Sequence, residues 1–272
     1  MRPGRLMRTP PMQAAMSMVR KVWYAGRDER LEVGGHRLRY LSGTRPVRPS
    51  YRDDPDEIVR NDARQLEYFA NNVKRGETVI DVGGNVGQYA VLFGAVVGNA
   101  GRVISFEPDR ESRSLMEQNL AINQLGSRVK VEPLALFDTS GTHAFYSRSG
   151  DSMNSLERAG FGTNAGLSDI RESVVHTIPL DDYLVSNGLS DPDWLKIDAE
   201  GAEINVLRGA SRAIHGKTTI VCELHPYAWD SFGTSFDELV RMVSQAGRRM
   251  TWLDDSREFT GRPDYGAVVI SW

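Results

Sequence analysis

Two short polar pairs stand at the ends of apolar segments. Asp198 and Glu200 follow Trp194 to Ile197, while Glu223 and His225 close Thr219 to Leu224, each pair at two-residue spacing. Side chains alternate between the faces of a strand, so the members of each pair turn to one side where the strand ends. Two chemistries fit such groups. Asp198, Glu223 and His225 can hold a divalent metal such as magnesium, which orients a hydroxyl and lowers its pKa while Glu200 or water removes the proton. Without a metal, Glu200 or His225 serves directly as general base while the other groups, Asp198 among them, hold the reacting molecule. Glu203, three residues after Glu200, reads equally well as a helix cap. His36, His143, His176 and His215 occur singly and receive no role.

A second cluster of interest runs Val79-Ile80-Asp81-Val82-Gly83-Gly84-Asn85-Val86-Gly87, where an apolar strand enters a glycine-rich turn. Glycines there allow a tight turn and close approach of a ligand, and the helix that follows offers free N–H groups. A dinucleotide fingerprint beginning at Gly83 needs glycine at positions 85 and 88, which are Asn85 and Gln88. The pattern present is Asp-x-Gly-x-x-x-Gly. Further on, Arg102 to Phe106 ends in Glu107-Pro108-Asp109, placing a carboxylate 20 residues beyond Gly87. At the end of a second strand such a group can accept both ribose hydroxyls of an adenosyl ligand.

The elements that must position these groups alternate. Thr78 to Val82, Arg102 to Phe106, Arg128 to Glu132, Trp194 to Ile197 and Thr219 to Leu224 read as strands, with Met250 to Leu253 and Ala267 to Ser271 closing the series. Gly87 to Val97, Glu111 to Gln124 and Phe236 to Ala246 read as helices between them, and Asp56 to Val73 as an amphipathic helix before the first. This order predicts an α/β fold with an open, doubly wound, mostly parallel sheet. Residues 139–182 interrupt it with a stretch rich in Ser, Gly and Asn, expected to carry a hairpin or loop over the ligand edge. Within it Met153-Asn154-Ser155-Leu156, and beyond the fifth strand Tyr227 and Trp229, are placed to touch a ligand.

The chain has 272 residues, 40% of them hydrophobic, and a net charge of −3. Its charges are unevenly spread: residues 1–50 hold eleven basic and three acidic side chains, a balance of +8, leaving the rest at −11. An acidic body argues against a nucleic-acid partner held through phosphates. Residues 1–55 are therefore expected as a basic N-terminal arm or lid, with Met12, Met16, Val19 and Trp23 on one face of a short helix and Gly34-Gly35 at a hairpin tip. Residues 56–272 are expected to form the domain. Cys222 is the only cysteine, which rules out an intrachain disulfide and fits a reducing compartment. With no apolar run of about 18–20 residues and no signal-peptide pattern, membrane insertion is not expected and the reading is cytoplasmic. A homo-oligomer stays open.

The runs Ile80-Asp81-Val82-Gly83-Gly84-Asn85-Val86-Gly87, Ser105-Phe106-Glu107-Pro108 and Leu195-Lys196-Ile197-Asp198-Ala199-Glu200-Gly201-Ala202-Glu203 together resemble the successive motifs of FkbM-type methyltransferases. The resemblance covers about residues 76–226; Gly84 stands where alanine is common. It implies the class I methyltransferase fold, Rossmann-like with seven strands, and S-adenosyl-L-methionine as cofactor. It places Asp81, Gly83, Asn85 and Gly87 around the methionine and ribose, Glu107 on the ribose, and Ala135-Leu136 near the adenine. It also makes the fourth and fifth strands neighbours, so that both polar pairs meet at the carboxyl edge. The activity implied is O-methylation of a small hydroxylated acceptor, a sugar or natural-product intermediate. The rivals are an NAD-dependent oxidoreductase, opposed by Asn85 and Gln88, and a non-catalytic cofactor-binding module, opposed by the carboxylates.

Overall fold

The computed structural model describes residues 28–46, 50, 53–54, 56–148, 154–157, 170–253 and 265–272. The helix expected around Met12 to Trp23 lies outside them. Asp28–Val33 (β1) and His36–Leu41 (β2) form an antiparallel hairpin. Its tip, Gly34-Gly35, has φ of +55° and +76°, a region glycine enters without a Cβ penalty. Although this hairpin falls within the stretch read as an arm, Leu31, Val33, Leu38 and Tyr40 are buried in the core beside Leu66 and Phe69.

Glu57–Asn72 (α1) begins at Asp56, whose carboxylate accepts from the N–H groups of Ile58 and Val59. Then come Thr78–Val82 (β3), Gln88–Val97 (α2), Arg102–Phe106 (β4), Arg110–Ile122 (α3) and Val129–Glu132 (β5). Leu134–Leu136 (β6), Gly141–Arg148 (β7) and Ile170–Ile178 (β8) form a separate small sheet in the order β6-β8-β7. The chain continues through Leu180–Ser186 (α4), Trp194–Ile197 (β9), Glu203–Arg208 (α5), Ser211–His215 (α6) and Thr219–Leu224 (β10). A 3-10 helix over Pro226–Phe232, Phe236–Gln245 (α7), Arg249–Trp252 (β11) and Gly266–Ser271 (β12) complete it.

The main sheet has seven strands in the order β11-β12-β10-β9-β3-β4-β5. The pairs among β5, β4, β3, β9 and β10 are parallel, and β12 runs antiparallel to both neighbours. This is the class I methyltransferase sheet. Buried on both faces, β9 and most of β3, β10 and β12 read as nearly continuous apolar runs. Alternation sends Val79, Val103 and Val221 to the face covered by α1, α2 and the hairpin, and Ile80, Ile104 and Ile220 to the face covered by α4 through α7. The order reverses at β3, whose neighbours are β4 and β9. In open α/β sheets the crevice at such a point, outside the carboxyl ends of the strands, is the ligand site.

Candidate active site

A cavity of about 590 Å³ opens at that point. Its wall joins Gly83, Gly84, Asn85 and Glu107 of the glycine turn and β4 end to Asp198, Glu200, Glu223 and His225, with Tyr227 and Tyr265 also lining it. The small sheet and residues 154–157, which lie between β7 and β8, add Phe145, Asn154 and Leu156 to the wall.

Gly83 has φ +75°, and a Cβ there would stand 1.8 Å from the carbonyl oxygen of Asp198, so β3 and β9 close together only over glycine. At Gly84 a Cβ would meet Ser105 Oγ at 2.1 Å, which explains glycine where alanine is common: Ser105 occupies the space. Gly87 caps α2 with φ +84° and leaves room for Met116. Asn85 has φ +46°, which asparagine tolerates. Its N–H donates to Glu107 at 2.8 Å, and the N–H of Asp109 donates to the other Glu107 oxygen at 2.8 Å. Burial pushes the Glu107 carboxyl up to about 7 against those two bonds. Glu107→Ala should therefore weaken S-adenosyl-L-homocysteine binding about 10–150-fold by calorimetry, because it removes the acceptor of any ribose hydroxyl and orphans two N–H groups. Unchanged affinity removes Glu107 from the cofactor.

Asp81 is fully buried and absent from the wall. Its carboxyl accepts from Ser105 Oγ at 2.7 Å and lies 3.8 Å from Lys196 Nζ, beneath the glycine turn. Lys196 is also covered, 3.3 Å from Asp198 and with its ammonium 4.6 Å from the Tyr89 ring centre. Burial alone would lower the lysine; the charges of Asp198 and Asp81 overcome that and raise it.

His225 is 4% exposed. Its Nδ1 lies 2.9 Å from Glu203, and its Nε2 faces Glu200 at 3.6 Å and Asp198 at 4.0 Å. Burial would lower the imidazole, but Glu203, Glu200 and Asp198 outweigh it and raise it to about 10. Glu203, read as a possible cap, is wholly buried and accepts as well from the Gly201 N–H at 2.7 Å and Trp229 Nε1 at 2.8 Å. Trp229 thus serves Glu203, while Tyr227 donates to Glu200 at 3.0 Å. Glu200 sits at φ +47°, a conformation a glutamate adopts at a cost of about 1–2 kcal/mol, and burial pushes its carboxyl up.

Glu223 does not join this group. Asn61 Nδ2 at 3.1 Å, Gln65 Nε2 at 2.7 Å and the Tyr265 hydroxyl all donate to it. Among the described residues, the ligand atoms that come within 4.8 Å of one another belong to Asp198, Glu200 and His225, so Glu200 takes the place expected for Glu223. The neighbouring strands did bring both pairs to one edge, but strand alternation alone gave no sign that α1 would draw Glu223 away. Asp62 on α1, another wall residue, was equally unannounced; burial and the charges of Glu223 and Asp198 push it up to about 7.

The family model described as the methyltransferase FkbM domain matches residues 81–250, more than half the chain. The chain belongs to the FkbM methyltransferase family. It is thus an S-adenosyl-L-methionine-dependent methyltransferase. The FkbM domain holds the glycine turn, Glu107 and all four members of the polar pairs, whereas Asp62 and Tyr265 come from outside it. A hexuronic acid methyltransferase, AglP, of Haloferax volcanii is 22% identical over 204 residues, 74% of this chain and 76% of the relative. Among solved structures, the FkbM methyltransferase of Methylobacillus flagellatus is 15% identical with a TM-score of 0.46, covering 80% of this chain and 55% of that one. A SAM-dependent O-methyltransferase of Thermotoga maritima is 15% identical with a TM-score of 0.43, covering 93% and 79%. No helix among the described residues is long and apolar enough to cross a membrane.

Proposed function

We propose that this FkbM protein is an O-methyltransferase acting on a hydroxyl of a small polar acceptor, a sugar or natural-product intermediate. The observation that carries the reading is the meeting of Asp198, Glu200 and His225 in the same cavity as the glycine turn and Glu107. The cavity size suits a cofactor and a small acceptor together. Bound S-adenosyl-L-methionine supplies a methyl group on a sulfonium, already activated for displacement. Gly83, Asn85 and Glu107, which line the cavity, would hold it, while Asp81 and Gly87 shape the turn. The chain's remaining task is to hold an acceptor oxygen in line and relieve it of its proton. Glu200 takes that proton. His225, fixed through Nδ1 by Glu203, sets a positive charge against the carboxylate, and Asp198, held by Lys196, orients the acceptor. The hexuronic acid named for the Haloferax volcanii relative is in keeping with an acceptor of the sugar class, though not with a neutral one.

Calorimetric titration with S-adenosyl-L-homocysteine and with NAD, followed by transfer of labelled methyl to hydroxylated metabolites, tests the reading. Binding of NAD instead of the homocysteine, or labelling of peptides or RNA but no hydroxylated metabolite, overturns it.

One observation favours a second mechanism. Asp198, Glu200 and His225 offer two carboxylate oxygens and an Nε2 whose partner nitrogen is anchored on Glu203, a donor set suited to a divalent cation such as magnesium. A cation there would act as a Lewis acid on the acceptor oxygen and would require neutral His225. The direct-base mechanism predicts that turnover survives exhaustive chelation. Loss of turnover, restored by magnesium or manganese, would establish the metal instead.

A further inference from the structure

Asp62 lies ahead of the residues the family model matches, on a helix whose position is tightly set. Asn61 and Gln65 clamp Glu223, and Asn61 Oδ1 accepts from the Ala267 N–H at 3.1 Å. One turn apart on that helix, Ile58 and Asp62 face the cavity. The carboxylate of Asp62 makes no hydrogen bond or ion pair among the described residues; the Tyr89 hydroxyl donates to its backbone carbonyl only. Asp198, Glu200 and Glu223 line the same cavity, and no Arg or Lys side chain among the described residues does. The ammonium of Lys196 is covered and engaged with Asp81 and Asp198, and the imidazole of His225 is engaged by Glu203. With Glu107, five carboxyl groups and one imidazole thus line the cavity.

We propose that Asp62 is an acceptor-selecting residue: with the other carboxyls it admits acceptors that present hydroxyl or amine donors, and it turns away those presenting a carboxylate or phosphate. The selectivity rests on the O-methyltransferase reading above. A neutral polyol donates hydrogen bonds to Asp62 and an ammonium pairs with it, whereas an anion meets like charge in a cavity where little water is left to screen it.

The test uses the full chain saturated with S-adenosyl-L-homocysteine, titrated with three sugars that differ in charge: methyl glucoside, the methyl glycoside of glucosamine, and methyl glucuronide. The glucuronide should bind about tenfold or more weakly than the glucoside, the glucosamine glycoside at least as well as it. Asp62→Asn, nearly isosteric and on a partly exposed helix position, should narrow the glucuronide gap about fivefold, leave homocysteine affinity unchanged and not lower the melting midpoint. Equal binding of all three sugars overturns the selectivity alone. An unchanged gap in Asp62→Asn, or loss of homocysteine binding there, removes Asp62 from the acceptor side. Binding of none of the three, by protein that still holds the homocysteine, overturns the sugar-acceptor reading and the selectivity with it.

Discussion

Glu203→Ala should lower the unfolding free energy by about 3–5 kcal/mol in a denaturant titration, the largest stability loss of any single change at the site. The wild-type carboxylate is wholly buried and satisfies the Gly201 N–H, the His225 imidazole and the Trp229 indole together. Alanine removes the counter-charge at 2.9 Å from His225 Nδ1, leaving only the longer approaches of Glu200 and Asp198 to Nε2, and orphans the Gly201 and Trp229 donors. The pH dependence separates this from a simple packing loss. His225 is raised from 6.5 to about 10, so its contribution is complete below pH 6.5 and is lost as pH rises towards 10. The buried carboxyls act in the same direction. Glu107 and Asp62, raised to about 7, bind protons more tightly folded than unfolded, so they too cost stability as pH climbs from about 4 through 7. The wild-type midpoint should therefore fall between pH 6.5 and 10, and in Glu203→Gln that fall should flatten. A variant as stable as wild type, or an unaltered slope, would show that Glu203 does not hold the imidazolium.

Glu200→Gln should reduce methyl transfer about 10²–10⁴-fold in kcat while homocysteine affinity is kept. The amide preserves shape but cannot take a proton. The backbone supports a special role for this position. Few glutamates sit at φ +47°, and here the Ser155 hydroxyl, donating to the Glu200 carbonyl at 3.0 Å, and the Tyr227 hydroxyl hold it there. Strain maintained by contacts from two other segments is expected where a side chain must be aimed. Full activity in Glu200→Gln would move the base to Asp198, and the pH profile of Asp198→Asn would then locate it.

Much of the scaffold was legible from local pattern. Thr78–Val82, Arg102–Phe106, Trp194–Ile197 and Thr219–Leu224 stand as strands where apolar runs met turn residues, because a buried parallel strand carries its signal within a few consecutive residues. The same holds for the placement of the glycine turn and Glu107, which depends on strand, turn and helix adjacent in sequence. Short elements were less visible. Leu180–Ser186 and Ser211–His215 span too few turns to show a helical period, and the small sheet β6-β8-β7 pairs residues up to 42 positions apart, as Leu134 with His176.

Sequence by itself thus determined that both polar pairs stand at strand ends with their members turned to one side, since two-residue spacing there follows from backbone geometry. Only the tertiary structure decided what each group does there. Asn61 and Gln65 claim Glu223 across more than 150 positions, and Glu203 rather than solvent claims His225. Asp81 sinks beneath the turn onto Lys196 and Ser105, and Asp62 arrives from a helix with no motif of its own. Each outcome is a competition among buried donors and acceptors for partners, and burial makes an unpaired group costly. Spacing along the chain says which groups can compete; their distances in the folded packing set the winner.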